Sequence, residues 1–322
     1  MKYSQIAGTG SYLPERVMTN AEFEQIVDTS DEWIRERTGI KRRHIAAEGE
    51  KTSDMGLAAA RSAIESAGVE IDDVDLIIVA TTTPDKVFPS TACIVQRQLG
   101  VTDIPAFDVH AACSGFIYGL DIVDRYIRTG GAECALLIGS ETYSRILDWN
   151  DRGTCVLFGD GAGAVVLTPA DEPGVISTHI HADGAFEDLL HVPAGVSSGY
   201  EQVRAEAAYI HMKGNEVFRK AVGQLGSIAR ETLDNNGVDK HDVSWLIPHQ
   251  ANLRIIAAAA KKLDLPMERV VVTVDEHANT SSASIPLALD AAIRDGRIRQ
   301  GELLLFEAFG AGFTWGSALV RY

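Results

Sequence analysis

The feature that most constrains this chain is that its second half repeats the first. The segment "GVEIDDVDLIIVA" at 68–80 lines up with "GVDKHDVSWLIPH" at 237–249 at a constant offset of 169. Gly68, Val69, Asp73 and Val74 recur as Gly237, Val238, Asp242 and Val243. Four identities alone are weak, but the surrounding order of elements also recurs. Each copy follows a helical stretch, ends in an apolar strand, and leads to a strand-to-helix corner and two more strands. Those last strands are "ALLIGSE" and "GAGAVVL" in the first half, "LLLFEAF" and "GFTWGSALV" in the second. Self-similarity in a fixed element order is the mark of a duplicated unit. The spacing therefore predicts two halves, 1–173 and 174–322.

Each half reads as α/β. "DLIIVATTT" (75–83) is a continuous apolar run of the kind found in buried parallel strands. Helical patterns cover 54–68, ending on Gly68, and 90–100; strands are expected at 104–109, 134–140 and 161–169. In open parallel sheets, ligands bind beyond the carboxyl ends of strands. Cys113, His249 and Asn279 each follow an expected strand. The corner "FDVHAACSG" matches "VTVDEHANTS", which sets Asn279 opposite Cys113 at an offset of 166. A pseudo-twofold between the halves would bring all three residues to one point.

Cys113 opens "CSGFIYGLDIVDRYIRTGG", where Phe116, Leu120, Val123 and Ile127 keep helical spacing up to Gly130-Gly131. A thiol at a helix N-terminus is expected to have a lowered pKa, and Ala111, Ala112, Ser114 and Gly115 leave room for a substrate. The competing reading is a buried, inert thiol. That reading fits Cys93, Cys134 and Cys155, which fall inside helix or strand patterns. His249 in "LIPHQAN" is either a satisfied core residue or a site residue; Asn279 in "HANTSSAS" is either a helix cap or a donor. Taken together, Cys, His and Asn point to thioester chemistry. The thiolate accepts an acyl group, and two neutral N–H donors stabilise an oxyanion or enolate. "FGAGFTWG" (309–316) adds a loop whose backbone can approach a ligand closely. Neither it, nor "GTG" at 8–10, nor "GDGAG" at 159–163 has the context of a dinucleotide fingerprint.

Composition narrows the partners. The net charge of −16 disfavours nucleic acid and anionic membrane. No run of 18 apolar residues is present, so no membrane span is expected, and the first ten residues lack a signal-peptide core. Four cysteines at spacings of 20 and 21, without a CxxC pair, argue against a disulfide framework or a zinc site. His179 and His181 form an HxH pair that no further ligand set completes, so no metal is expected. The reading is a reduced, cytoplasmic protein. One basic cluster stands out: Arg254, Lys261 and Lys262 share a helix face in "NLRIIAAAAKKL", and Lys213, Arg219 and Lys220 lie in "MKGNEVFRK". It is either an ordinary solvated face or a docking face for an acidic partner.

Across nearly its whole length the sequence resembles the β-ketoacyl-acyl-carrier-protein synthase III family of thiolase-fold condensing enzymes. The resemblance rests on "GTGSYLPE", "TSDEWIRERTGI", "AACSGF", "DRGTCVLFGDGAGA", "GNEVF", "PHQANLRI", "HANTSSASIPLAL" and "EAFGAGFTWGSALVRY", in order. It implies two βαβαβ-type halves in a five-layered αβαβα sandwich, and a homodimer. It implies a decarboxylative Claisen condensation of an acyl-CoA primer, acetyl-CoA first, with malonyl-acyl-carrier protein, starting fatty-acid synthesis without a cofactor. Cys113 would carry the acyl group, and His249 and Asn279 would hold the enolate. The Cys113 N–H and the loop Gly310, Ala311 and Gly312 would form the oxyanion hole. Trp33 and Arg152 would sandwich the adenine of CoA, and Arg37 would face its phosphates. Asn215, Phe218, Ala251, Asn252 and Phe309 would line the pantetheine tunnel. Arg254, Lys213, Lys261 and Lys262 would dock the carrier protein, and Phe88 would cross the dimer interface to the partner's acyl pocket. The departures are Ala278, where Gly often precedes the Asn, Ala311 between the loop glycines, and His110. The primer itself, acetyl, branched or longer, stays open. Among rivals, an elongating synthase would place a second His where Asn279 stands, and a degradative thiolase would need a cysteine after Cys155. A Cys-His-Asn protease would need a cysteine motif that is absent. A non-catalytic homologue would have no need of the intact Cys, His and Asn.

Overall fold

The computed structural model describes residues 2–205 and 208–322. Two sheets run through it. In the first, Tyr3–Tyr12 pairs antiparallel with Gly161–Ala170, and that strand pairs antiparallel with Ala135–Glu141. Leu76–Ala80 and Ala106–Val109 then follow in parallel. The second sheet repeats this order. Val175–Ala182 pairs antiparallel with Thr314–Arg321, and that strand with Leu303–Gly310; Trp245–Pro248 follows in parallel. The fifth position is reduced to one parallel bridge, Leu246 to Val270.

Five layers result. The helices Gly115–Arg128 and Ser284–Arg294 lie between the sheets. They share one core in which Phe116, Leu120, Val123, Ile127, Ile285 and Leu289 meet strand residues of both halves. The helix Thr52–Ala67 covers the outer face of the first sheet. There Ala59 and Ala63 sit directly on Gly8 and Gly10, where a Cβ would stand 2.3 Å from helix backbone. The helices Gly214–Asn236 and Leu253–Lys262 cover the second sheet. Gly68 and Gly237, the repeat's first matched pair, both end a helix in the left-handed region, at φ 66° and 62°.

The duplication corrects one detail of the expected alignment. The tight turn Ala112–Ser114 and the helix after it correspond to Ser281–Ala283 and Ser284–Arg294 at the same offset of 169. Even the strained residues match, Ala112 at φ 46° and Ser281 at φ 51°. Ser282, not Asn279, is therefore the partner of Cys113, and Asn279 stands opposite His110. The offset of 166 came from aligning chemically interesting residues; the backbone keeps one register throughout. The two turns touch, and a Cβ on Gly115 would lie 3.3 Å from the Cβ of Ser282.

Candidate active site

The two turns face a cavity of about 690 Å³, and Cys113, His249 and Asn279 all line it. Cys113 is buried. It belongs to the tight turn that precedes the α-helix, not to the first α-helical turn itself. The expected lowering of its pKa is not met. Burial pushes the thiol up to about 12, and the nearby charge of Glu141 adds to this; hydrogen bonds from Ser281 and from its own backbone act the other way.

His249 ends the Trp245–Pro248 strand, and its N–H donates to the Glu307 carbonyl at 2.7 Å. Its Nδ1 lies 2.6 Å from Ser284 Oγ, which also accepts the Gln250 N–H at 3.3 Å. That leaves the serine proton for Nδ1, and by this hydrogen-bond logic the ring N–H sits on Nε2. Burial pulls the imidazole pKa down to about 3, so it is neutral at ordinary pH.

Asn279 is fixed by three bonds. Its N–H donates to the Leu157 carbonyl at 3.0 Å, its carbonyl accepts from Gly159 at 3.0 Å, and its Oδ1 accepts from the Ser281 N–H at 2.9 Å. Capping and donation are thus compatible. The oxygen caps the turn, and the amide NH₂ is left for the cavity.

The glycine loop divides its tasks. Phe309, Ala311 and Gly312 line the cavity, whereas Gly310 lies behind it against the turn. A Cβ at Gly310 would stand 2.7 Å from Cys113 N and 3.1 Å from Ser114 N. Gly310 therefore sets how closely the strand approaches Cys113, and only its neighbours can meet a ligand.

The cavity opens between Trp33, Arg37, Arg152, Asn215, Phe218, Ala251, Asn252 and Arg254. Trp33 is positioned by Ser30, which caps the Asp31–Thr38 helix. The guanidinium carbons of Arg152 and Arg37 lie 4.6 and 5.0 Å from its ring centroid. Asn252 caps the Leu253–Lys262 helix through Arg254 N and donates to the Arg37 carbonyl at 3.1 Å. Arg254 lies over Phe218. Lys261, Lys262 and Lys213 are exposed but lie outside the cavity lining. Lys213 flanks a shallow neighbouring cleft with Arg219 and Lys220, and the Lys262 stem covers Gly226. Phe88 is 82% exposed and does not reach this cavity.

Several residues escaped the sequence reading. Ser284 orients the histidine, and Thr82, Tyr143, Phe158, Leu190, His191 and Ile210 line the inner cavity. Glu141 and Ser281 lie buried behind Cys113. The pattern carried only one signal for them, the repeated Ser in "NTSSAS". Among the described residues, no group of three His, Cys, Asp or Glu is arranged to hold a metal ion. Among them too, no helix is long and apolar enough to cross a membrane.

Comparison with known proteins matches this arrangement to one group. Residues 107–184 match the family model for 3-oxoacyl-[acyl-carrier-protein] synthase III, and 233–322 match the model of its C-terminal part. A β-ketoacyl-[acyl-carrier-protein] synthase III of Thioalkalivibrio sulfidiphilus is 63% identical over 100% of both chains. The chain belongs to the β-ketoacyl-acyl-carrier-protein synthase III family. A synthase III of Xanthomonas campestris pv. campestris is 61% identical over 99% of this chain and 98% of that one. The fold agrees. The Aquifex aeolicus synthase III superposes with a TM-score of 0.94 at 50% identity, covering 99% of this chain and 100% of the other. The priming β-ketosynthase of the R1128 polyketide pathway superposes at 0.95 and 37% identity, covering 99% and 96%. The five-layered αβαβα architecture is thus that of a thiolase-like condensing enzyme.

Proposed function

We propose that the chain is a β-ketoacyl-acyl-carrier-protein synthase III, joining an acyl-CoA primer, acetyl-CoA first, to malonyl-acyl-carrier protein at the start of fatty-acid synthesis. The observation that carries this is the convergence of a buried thiol, a neutral imidazole and a free amide NH₂ on one cavity, whose lining also includes Trp33, Arg37 and Arg152.

In the first half-reaction, Cys113 sulfur attacks the primer thioester. The Cys113 N–H and the Ala311–Gly312 backbone supply donors to the tetrahedral oxyanion, and CoA leaves as a thiolate. Trp33 with Arg152 holds the adenine, and Arg37 faces the phosphates. Asn215, Phe218, Ala251, Asn252 and Phe309 flank the pantetheine arm. In the second, malonyl-carrier protein delivers its arm through the same mouth. Loss of CO₂ from a poorly solvated carboxylate gives an enolate that accepts hydrogen bonds from His249 Nε2 and Asn279 Nδ2. A neutral imidazole suits this step, because a charged one would bind the carboxylate and oppose its loss. The enolate carbon attacks the acyl-cysteine and expels the Cys113 sulfur. The two half-reactions need no redox cofactor.

Arg254 at the mouth, with Lys261 and Lys262 on its helix and Lys213 nearby, supplies positive charge on an acidic chain. We assign this face to the carrier protein. Exposed Val87 and Phe88, at 56% and 82%, support a homodimer in which Phe88 reaches the partner's acyl pocket. Four free cysteines fit a reducing, cytoplasmic setting.

The test is intact-protein mass spectrometry after mixing with acetyl-CoA and with longer and branched acyl-CoAs, without malonyl-carrier protein. One acyl adduct, lost in Cys113→Ala, is expected, and the preferred chain names the primer. No adduct from any acyl-CoA would overturn the loading step.

A further inference from the structure

Arg43 is the largest side chain fully buried among the described residues, and no step above uses it. Among those residues its partners are all uncharged. Nη1 donates to Asn20 Oδ1 at 2.7 Å and reaches the Met18 carbonyl at 3.5 Å; Nη2 donates to the Val156 carbonyl at 2.7 Å; Nε is unpaired. The guanidinium carbon lies 4.4 Å from the Phe23 ring centroid. Burial pulls the pKa down to about 10, so the group stays charged at neutral pH. A charge without a counter-charge in the interior is costly, and an apolar side chain of this size would cost less. What the guanidinium alone supplies is a rigid fork that joins two separate segments.

Asn20 passes the tie on. Its Oδ1 is taken by Arg43, so its NH₂ faces the acceptors: Asp31 Oδ1 and the Ile40 carbonyl, both at 2.8 Å. Asp31 opens the Asp31–Thr38 helix, and Ile40 follows the Gly39 that ends it. One buried amide thus grips both ends of the helix that carries Trp33 and Arg37. Val156 ends the short helix Arg152–Cys155. The fork of Arg43 therefore fixes the segment of Trp33 relative to that of Arg152. The Arg37 end has a second anchor in Asn252, which donates to the Arg37 carbonyl at 3.1 Å. The Trp33 end has exposed ones. The Glu24 carboxylate accepts the Asp31 N–H at 2.8 Å, and Arg152 Nη1 donates to the Asp28 carbonyl at 2.5 Å.

The last of these bonds is not independent of the ligand. A ring held between Trp33 and Arg152 needs about 7 Å, two carbon contact distances. Guanidinium carbon and ring centroid now stand 4.6 Å apart. Arg152 must draw back as adenine enters, which takes its Nη1 from Asp28. The buried tie has no part in that movement. Resting on the adenine site proposed above, we propose that Arg43 is its positioning residue: through Asn20 and Val156 it holds the platforms of Trp33 and Arg152 at one spacing while the two side chains part. The slot is thus pre-formed, and the chain favours primers that carry the nucleotide over a bare acyl-pantetheine. Arg43 itself touches neither substrate nor reacting atoms.

The experiment compares acetyl-CoA with acetyl-pantetheine as primer, at saturating malonyl-carrier protein, in wild type, Arg43→Met, Asn20→Asp and Trp33→Ala. The Kd of CoA is measured alongside by isothermal titration. Arg43→Met keeps the length and removes the lone charge, so it should melt no lower than wild type. Asn20→Asp gives Arg43 a counter-charge but removes both donors to the helix, and it serves if Arg43→Met fails to fold. In each, KM for acetyl-CoA and the Kd of CoA are expected to rise about tenfold, with kcat held within about twofold and acetyl-pantetheine kinetics unchanged. Equal losses on both primers in a folded variant would show a general structural role and overturn the proposal. So would wild-type kinetics on acetyl-CoA in both variants. Equal losses on both primers in Trp33→Ala would instead overturn the adenine site on which the proposal rests.

Discussion

Gly310→Ala is the sharpest probe of how the second half holds the first half's cysteine. The added methyl would stand 2.7 Å from Cys113 N, 3.1 Å from Ser114 N and 3.3 Å from Ala112 Cβ. Two of these neighbours are backbone atoms of a turn already strained at Ala112, so no flexible side chain can yield. Ordinary contact needs about 3.4 Å or more, so the turn must retreat by several tenths of an ångström. Overpacking of this kind costs about 1–3 kcal/mol. The larger effect is on chemistry. Misplacing a nucleophile and its oxyanion donors by up to about 1 Å costs on the order of 100-fold, or about 3 kcal/mol of barrier. We expect acyl-cysteine formation from acetyl-CoA to fall by about 100-fold, with a Tm loss of a few degrees. Gly223→Ala is the control for loading, since nothing lies within 4 Å of its added methyl. The assay is rapid-quench mass spectrometry of the acyl adduct together with a thermal melt. A Gly310→Ala enzyme that loads at the wild-type rate would show that the strand does not set the position of Cys113.

Three further outcomes follow from the geometry. His249 has an ordinary pKa when unfolded and about 3 when folded. Its stabilisation is therefore complete above about pH 6.5 and is lost as pH falls towards the folded value; between pH 7 and 5 the loss is about 2 kcal/mol. Because His277 and Glu307 also titrate with folding in this window, the measure is the difference: by urea unfolding, wild type should lose about 2 kcal/mol more than His249→Ala between the two pH values. Trp33→Ala should raise KM for acetyl-CoA about tenfold with little change in kcat, but leave an acyl-pantetheine substrate unaffected; equal losses on both substrates would remove the nucleotide from this mouth. Gly223→Ala, inside the Gly214–Asn236 helix, should raise stability by about 1 kcal/mol in urea titrations.

The two α/β halves were legible because buried strands and duplicated turns leave periodic apolar patterns; their stacking in five layers was implied only by the family resemblance. "DLIIVA" is as apolar in sequence as its strand is buried in the fold. Less visible were Tyr3–Tyr12 and Val175–Ala182, the antiparallel strands that begin each sheet. Their mixed polar residues reflect edge positions with uneven burial. Cys113, His249 and Asn279 could be singled out because each follows a strand-like apolar run; in the fold Cys113 and His249 do come after strands, whereas Asn279 follows the short helix Val274–His277. The register between them could not: chemistry suggested that Asn279 match Cys113, whereas the backbone pairs Cys113 with Ser282. The lowered thiol pKa was misread for a related reason. A helix N-terminus can be seen in sequence, but burial and a carboxylate brought from another strand cannot.

That mismatch bears on how the site works. A duplicated fold places two equivalent turns back to back, and here they have diverged in role. The first carries the nucleophile, while the second carries the hydroxyls that bond Glu141 and, three residues upstream of Ser282, the amide that faces the cavity. Glu141 touches Ser281 and Ser282 of one turn and, through Thr81–Thr83, the strand end beside the other. A displacement at either turn must therefore disturb hydrogen bonds of both. This coupling explains why the chemistry sits at the pseudo-twofold axis: there, each half can hold the other's reacting groups in place through backbone and buried side chains, without help from flexible loops.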